Sequence, residues 1–281
     1  MSAAPTSGAT STFNISSGAL AGVTLLETTD TTISIVNASG VQGDGAGSAG
    51  TGFVWTSGIL AATTATTATT ITGSANGGDV IKANAAVDLV TITETKGTNT
   101  LWGSLTNKSV ITGGTGADTI LGGNLNDTIV GGGGADVITG GKGADLITVS
   151  GTTSKIVQAA GDSGTNSSNN IQTSELPSTF DVIKGLVGGD KIDLGNVNIV
   201  TGTTTLAGTN LAGGVAADTA IFTSGTYDSG AGTFTFAANG LDTALNYDSS
   251  AVAGATSETI ILVGFHAGAT TTAAAGIIKL A

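Results

Sequence analysis

Residues 113–148 read GGTGADTIL, GGNLNDTIV, GGGGADVIT and GGKGADLIT, which are four consecutive blocks of nine. Each block opens with two glycines and carries Asp at its sixth position and Ile at its eighth. The isoleucine spacing continues for one further block at each end, to Ile111 and Ile156. In those outer blocks Ser109 and Ser154 stand at the Asp position. Four copies in phase indicate a repeat architecture, in which each block is one structural unit, rather than an irregular loop.

The nine-residue spacing predicts short strands separated by turns. The leading glycines permit tight turns, and the three residues around each Ile form a strand whose Ile faces the core. Two blocks then make one coil, so alternate blocks stack on the same edge. This stacking brings Asp118 beside Asp136, and Asp127 beside Asp145, at about the 4.8 Å spacing of neighbouring strands.

Stacked aspartates have an electrostatic consequence. Two carboxylates at that spacing repel by about 3 kcal/mol at an effective dielectric constant of about 20. Carboxylate and carbonyl oxygens are the ligands that Ca²⁺ prefers. We therefore predict that Ca²⁺ between the turns relieves the repulsion and couples metal binding to folding.

The four blocks resemble the RTX family of nonapeptide repeats, whose pattern is Gly-Gly-x-Gly-x-Asp-x-apolar-x. The resemblance implies a parallel β-roll in which each Ca²⁺ is held between turns on the same edge by Asp carboxylates and turn carbonyls. Leu125 replaces a glycine of the pattern, so a distorted turn is expected in the second block. The implied ligands form two groups: Gly113, Gly116 and Asp118 with Gly131, Gly134 and Asp136, and Gly122, Asn124 and Asp127 with Gly140, Gly143 and Asp145.

Weaker copies of the spacing occur outside the four blocks. Asp79 and Asp88 are nine residues apart, each with an apolar residue two positions later, and Asp218 ends a degraded copy. Residues 180–194 read FDVIKGLVGGDKIDL and resemble the segment that follows the roll in RTX proteins exported by type I systems. Asp181 and Asp190 of that segment are further candidate calcium ligands, and the alternative for both is an ordinary turn aspartate.

Composition predicts an all-β chain. The 46 glycines and the abundant Thr, Val and Ile are typical of many short strands joined by tight turns, and no segment shows helical periodicity. We divide the chain into an N-terminal β-rich assembly region (1–72), the β-roll (73–157) and a C-terminal β-rich region (158–281). In the first region Ile33 and Ile35 alternate with Thr32, Ser34 and Val36, which is the pattern of a half-buried strand.

Charge and targeting signals narrow the partners and the location. With 20 acidic residues, 8 lysines and no arginine, the chain lacks the cationic clusters of a nucleic-acid binder. It has no apolar stretch of membrane-spanning length, and its first residues lack a Sec-type signal peptide. The RTX resemblance implies an uncleaved C-terminal export signal, with which the apolar residues 276–281 are compatible. We therefore expect an extracellular or cell-surface protein that is not inserted in a membrane.

Catalytic signals are sparse, and we expect no enzyme. His266 is the only histidine, so a zinc pair is excluded, and a Ser-His-Asp triad would need His266 without a nucleophile elbow. The first functional hypothesis is a structural protein that assembles with itself in Ca²⁺ into a surface lattice or filament, with cell-surface polysaccharide as a further candidate partner. The alternatives are an RTX-type adhesin or binding module and, third, a secreted hydrolase.

Overall fold

A computed structural model describes residues 11–16, 23–26, 33–42, 52–56, 69–84, 86, 89–151, 153–166, 180–195, 220–237, 239–248, 257–265, 272–274 and 277–280. The regular elements of this part of the chain are all β-strands. The chain divides into two compact units, Met1–Ile138 and Thr139–Ala281.

The first unit is a ladder of short strands. They are β1 (Ser11–Ser16), β2 (Val23–Leu26), β3 (Ile33–Gly40), β4 (Phe53–Thr56), β5 (Thr69–Thr72), β6 (Val80–Lys82), β7 (Val90–Thr93), β8 (Thr100–Trp102), β9 (Ser109–Thr112), β10 (Thr119–Gly123) and β11 (Thr128–Gly132), with β12 (Val137–Gly141) starting at the end of the unit.

Each strand of this unit pairs in parallel with the strand two places along the chain. One sheet has the order β1-β3-β5-β7-β9-β11, and the other has the order β2-β4-β6-β8-β10-β12. Consecutive strands therefore alternate between two sheets, so that two strands and two turns complete one coil. The predicted all-β class and parallel β-roll are confirmed.

The core of the first unit consists of two columns of buried apolar side chains, one inside each sheet. The parallel register stacks each inward residue on its equivalent in the next coil, and all of them are buried. Such stacking favours β-branched residues, which pack well on a pleated surface. The columns are Val36, Ile71, Ile92, Ile111 and Ile129 in the first sheet, and Trp55, Ile81, Leu101 and Ile120 in the second.

The face of β3 differs from the sequence pattern. Val36 and Ala38 are buried, whereas Ile35 is only half-buried. The register of the solenoid decides this, because Val36 pairs with Ile71 and continues the inner column. The parallel pairing β3-β5-β7 also runs across residue 72, and our division of the chain there stays a prediction.

The second unit begins with parallel pairs and then turns antiparallel. Its strands are β13 (Leu146–Val149), β14 (Lys155–Val157), β15 (Thr165–Asn166), β16 (Asp181–Lys184), β17 (Lys191–Asp193), β18 (Ala220–Asp228), β19 (Thr233–Phe236), β20 (Asp242–Tyr247), β21 (Ser257–Val263), β22 (Thr272–Ala274) and β23 (Ile277–Lys279).

Strands of the second unit pair in both directions, and β15 pairs antiparallel with β21. β13 pairs in parallel with β16, and β14 with β17, so that Ile147 stacks on Ile183 and Ile156 on Ile192. Strand β21 joins β16 in parallel, but β21-β20-β18-β19 and β17-β23-β22 are antiparallel. A buried cluster of Phe180, Val182, Phe234, Ala244 and Ile261 packs beneath these strands.

Candidate metal centre

A row of polar side chains runs along one edge of the first unit, at the position two residues before each inward apolar residue. The side chain of each coil accepts a hydrogen bond from the backbone N–H of the preceding coil. Asp79 N donates to Asn99 Oδ1 (3.0 Å), Asn99 N to Asp118 Oδ1 (2.7 Å) and Asp118 N to Asp136 Oδ1 (3.0 Å). The predicted proximity of Asp118 and Asp136 is therefore present, and these bonds hold the coils in register.

The second oxygen of Asp118 has a different environment. Asp118 Oδ2 is buried and accepts no hydrogen bond from the described residues. A Cβ atom on Gly113 would lie 2.5 Å from Asp118 Oδ2 and 2.5 Å from the carbonyl oxygen of Gly131. Because Gly113 has no side chain, a small space remains there, and both the Asp118 carboxylate oxygen and the Gly131 carbonyl oxygen border it. A buried acceptor without a donor is costly, and a donor set made only of oxygens fits a hard cation such as Ca²⁺.

Burial dominates the electrostatics of these carboxyl groups. It raises the pKa of Asp118 to about 7, against the lowering effect of the Asn99 N–H, and the charge of Asp136 raises it further. Burial likewise raises the pKa of Asp127 to about 7. The second oxygens of Asp127, Asp136 and Asp145 are buried as well. Charged carboxylates in such places need a compensating positive charge.

The turns that carry these residues depend on glycine at the fourth position of the block. Gly116 has φ of 140° and Gly134 has φ of 121°, a backbone conformation that other residues rarely adopt. A Cβ on Gly134 would also overlap the carbonyl of Gly116. The five residues Gly113, Gly116, Asp118, Gly131 and Gly134 thus lie in two stacked turns, and Asp136 closes the group.

The second block has a different turn, as the substitution by Leu125 predicts. Leu125 is not among the described residues with positive φ, and its side chain is exposed. Asn124 is exposed, and its side-chain nitrogen donates to the Leu105 carbonyl (3.0 Å). Asp127 Oδ1 accepts the Ser109 N–H (2.6 Å), so Ser109 and Asp127, which precede Ile111 and Ile129, are linked from coil to coil as Asn99 and Asp118 are.

The residues predicted to share a calcium site with Asn124 and Asp127 are Gly140, Gly143 and Asp145, which belong to the second unit. Gly140 lies against Asp145, whose Oδ2 a Cβ on that glycine would overlap, and Gly143 has φ of 121°. Gly122 lies against the preceding coil, because a Cβ on Gly103 would overlap its carbonyl. The joint calcium site of Asp127 and Asp145 stays a prediction.

In the second unit, both carboxylate oxygens of Asp181 and both of Asp190 accept hydrogen bonds. Asp181 Oδ1 accepts the Asp145 N–H (2.8 Å), and Oδ2 accepts from the Gln158 amide (2.9 Å). Asp190 accepts the N–H groups of Ser154 and Val187. These contacts are those of structural turn aspartates, and their role as calcium ligands stays a prediction.

Asn99 is a member of the row that the nine-residue spacing did not identify. Its side-chain nitrogen donates to the carbonyls of Lys96 (3.0 Å), Gly97 (3.1 Å) and Gly113 (3.2 Å). A neutral donor therefore occupies the centre of a carbonyl cluster in this turn. The sequence does contain a feature that could have identified Asn99: Leu101 follows it by two residues, as Ile120 follows Asp118. Asp79 also belongs to the row, while Asp88, Asp218 and His266 lie outside the described residues.

The fold and the site define a class: a parallel β-solenoid whose stacked turns present buried carboxylates and carbonyls to calcium. Residues 112–147 match the family model of the RTX calcium-binding nonapeptide repeat, in four copies. This segment of the chain is thus an RTX repeat region, and its cofactor is Ca²⁺. None of the curated proteins compared with the chain matches it.

The groups available to bind Ca²⁺ are mostly main-chain oxygens. The described part of the chain contains no cluster of three His, Cys, Asp or Glu side chains that would hold a metal, so main-chain carbonyls must supply most ligands. When bound, Ca²⁺ supplies positive charge that compensates the paired carboxylates. Within the same part of the chain, no helix is long and apolar enough to cross a membrane.

Proposed function

We propose that this calcium-binding RTX repeat protein is a secreted structural protein, which folds and assembles with copies of itself in Ca²⁺ into a surface layer or extracellular filament. The observation that carries the calcium-dependent part is Asp118 Oδ2, a buried acceptor without a hydrogen bond beside the Gly131 carbonyl. RTX repeat proteins are typically extracellular, which favours the same location for this chain.

Calcium-coupled folding follows from the stacked carboxylates. Asp118 and Asp136 lie in adjacent coils and are joined by one hydrogen bond. Both carboxyl groups are buried, so the coils stack at low cost only when a proton or a cation balances the charge. In calcium-poor surroundings at neutral pH the stack is destabilised, and in calcium-rich surroundings it is stabilised. The repeats thus favour folding after export.

Self-assembly is supported by the ends of the two parallel sheets. Among the described strands, β1 and β2 each pair on one side only, at the end of their sheets. The outer edge of such a strand presents backbone N–H and C=O groups that another strand can pair with. The sparse charge of the chain, at 10% of residues, does little to oppose such pairing. A second copy of the chain is the partner that these edges favour.

Electron microscopy of the purified full chain tests the proposal. We expect ordered sheets or fibres in excess Ca²⁺ and none in a chelator, with Mg²⁺ as the control for ionic strength. The double variant Asp118→Asn, Asp136→Asn should require more Ca²⁺ for assembly, whereas Asp228→Asn, which alters an exposed aspartate, should not. Persistent monomers that bind Ca²⁺ at high protein concentration would contradict self-assembly and favour the adhesin alternative.

A further inference from the structure

Glu94 stands where the repeats have their first glycine. Alignment of Ile92 with Ile111, each seven residues before a member of the row, places Glu94 at the position of Gly113. The backbone agrees, because Glu94 N donates to the Thr112 carbonyl of the next coil (2.9 Å) as Gly113 N donates to that of Val130 (2.9 Å). A long acidic side chain therefore occupies a position where the matched repeats carry none.

The side chain of Glu94 reaches into the turn of the preceding coil. Its carboxyl group fills the space beside Gly73, where any Cβ would overlap it. Glu94 is 2% exposed, and neither carboxylate oxygen accepts a hydrogen bond from the described residues. The charges that act on Glu94 are those of Asp79 and Asp118, and both are negative.

Asp79 faces Glu94 from the turn that Glu94 enters. Asp79 is fully buried, and three hydrogen bonds hold its carboxylate: from Phe53 N (2.5 Å), Ser74 N (2.6 Å) and Ser74 Oγ (2.7 Å). Burial is the largest cause that raises the pKa of Glu94 to about 11, and the negative charges of Asp79 and Asp118 raise it further. The Glu94 carboxyl lies beside Gly73, and the N–H of the next residue, Ser74, donates to Asp79 Oδ2. Two bare carboxylates on either side of this buried turn need a proton or a cation to balance their charge.

The next coil shows what fills the equivalent place. There the sixth residue of the turn, Asn99, contacts the first residue of the following coil, Gly113, through an amide donor bound to three carbonyls. In the turn of residues 73–79 the residue equivalent to Asn99 is Asp79, which precedes Ile81 by two residues as Asn99 precedes Leu101. The first residue of the following coil is Glu94, and both carboxylates are acceptors. The donor that Asn99 supplies in its own turn has no counterpart between Asp79 and Glu94.

We propose that Glu94 and Asp79 hold a Ca²⁺ ion at a site outside the four matched repeats. The ligands would be one carboxylate from each of two adjacent coils, with turn carbonyls completing an oxygen-only set suited to a hard cation. The site differs from the repeat pattern, because a glutamate side chain from the first position takes part where the repeats offer only backbone. It stabilises the stack between residues 73 and 99, before the repeats begin.

Calcium stoichiometry of the full chain tests this site. We expect Glu94→Gln to bind one Ca²⁺ fewer per chain than the unaltered protein, both by calorimetric titration and by elemental analysis after dialysis. The side-chain amide that this substitution introduces can donate a hydrogen bond to Asp79, so the variant should keep its fold by circular dichroism. Asp228→Asn, in an exposed turn where Oδ1 accepts backbone N–H groups, is the matched control and should leave the stoichiometry unchanged.

An unchanged number of Ca²⁺ ions per chain in Glu94→Gln would overturn the proposal. It would indicate that a proton, rather than Ca²⁺, balances the charge of Glu94 and Asp79. Because the measurement counts ions on the unassembled chain, it is independent of whether copies of the protein form a lattice or filament. A crystal structure of the unaltered chain in Ca²⁺ serves if the variant fails to fold. It should show an anomalous peak roughly 2.3–2.6 Å from a Glu94 oxygen, and direct contact between the two carboxyl groups without a peak would refute the site.

Discussion

At the scale of single residues, the two oxygens of Asp118 have separable tasks. Oδ1 accepts the Asn99 N–H and holds the register, whereas Oδ2 is buried without a hydrogen bond from the described residues. Asp118→Asn keeps an oxygen for the first task and removes the charge needed for the second. We expect this variant to bind Ca²⁺ at least about tenfold more weakly. Even mutations of residues that only orient a metal ligand lower metal affinity by roughly 10–100-fold.

A melting experiment separates this charge effect from simple disruption. In chelator at pH 8, Asp118→Asn should melt at or above the temperature of the unaltered protein, because a buried carboxylate has been replaced by a neutral amide. In excess Ca²⁺ it should melt at a lower temperature than the unaltered protein. A variant less stable in both conditions would show that Asp118 acts through hydrogen bonding alone. Asp228→Asn is again the control.

Asn99 offers the reverse test. Asn99→Asp retains the oxygen that accepts the Asp79 N–H, but it places a carboxylate oxygen against the carbonyls that the amide now contacts. We expect the variant to be destabilised in chelator, by the roughly 1–3 kcal/mol that an unsatisfied buried polar group costs. In Ca²⁺ it should recover stability and bind one additional ion. If a calorimetric titration of Asn99→Asp shows no additional Ca²⁺, the Asn99 amide does not occupy a place that a cation could take.

At the scale of elements, the turns can be tested with two adjacent glycines. Gly134 has φ of 121°, and a Cβ there would overlap the Gly116 carbonyl, whereas a Cβ on Gly133 would come no closer than 4.0 Å to its neighbours. Gly134→Ala should lower the free energy of unfolding by about 2 kcal/mol or more. Gly133→Ala should change it by less than about 0.5 kcal/mol. Equal effects of the two variants in denaturant titrations would contradict the turn geometry.

The strand ladder shows how far the sequence predicts the elements. Ile111 and Ile129 are eighteen residues apart, and this regular spacing is what reveals the solenoid. Ile92 precedes Ile111 by nineteen residues and Ile71 precedes Ile92 by twenty-one, yet all four stack in one column. The extra residues lie in turns, which tolerate insertions, so the column continues where a fixed period of nine no longer detects it.

The site was predictable only where the repeat is regular. The pairing of Asp118 with Asp136 followed from the spacing, because equal spacing stacks equivalent residues. The repeat pattern did not predict a role for Asn99 or Glu94. Asn99 stands where the pattern has Asp, and Glu94 stands where it has its first Gly, so neither residue matches the pattern. Contact between coils, rather than residue type, assigns Asn99 to the row and places the Glu94 carboxyl beside Gly73 of the preceding coil.

At the scale of the whole molecule, calcium removal should affect the two units unequally. The first unit relies on buried carboxylates stacked in parallel coils. In the second unit both oxygens of Asp181 and of Asp190 are hydrogen-bonded, and the unit has its own buried apolar cluster around Phe180 and Phe234. We expect a chelator to lower hydrogen-exchange protection in β9–β11 far more than in β18 and β20. Equal loss of protection in both places would show that the chain unfolds as one.

Burial raises the pKa of several carboxyl groups of the chain, and this fixes the sign of its pH dependence. The folded pKa of Asp118 and of Asp127 is about 7, above the ordinary value of 3.8, chiefly through burial, and burial also raises the pKa of Glu94 and Asp181. The folded state thus binds more protons than the unfolded state between about pH 4 and pH 7. The stability of the calcium-free protein must then fall as pH rises through that range.

Calcium reverses this trend, because it binds the charged carboxylates and so displaces their protons. In chelator we expect a higher melting temperature at pH 5 than at pH 8, and in excess Ca²⁺ a binding affinity that rises over the same interval. Titration calorimetry in two buffers of different ionisation enthalpy should detect protons released at pH 6.5. A calcium-free protein that is more stable at pH 8 than at pH 5 would contradict the buried carboxyl row, since every raised pKa in it acts in the same direction.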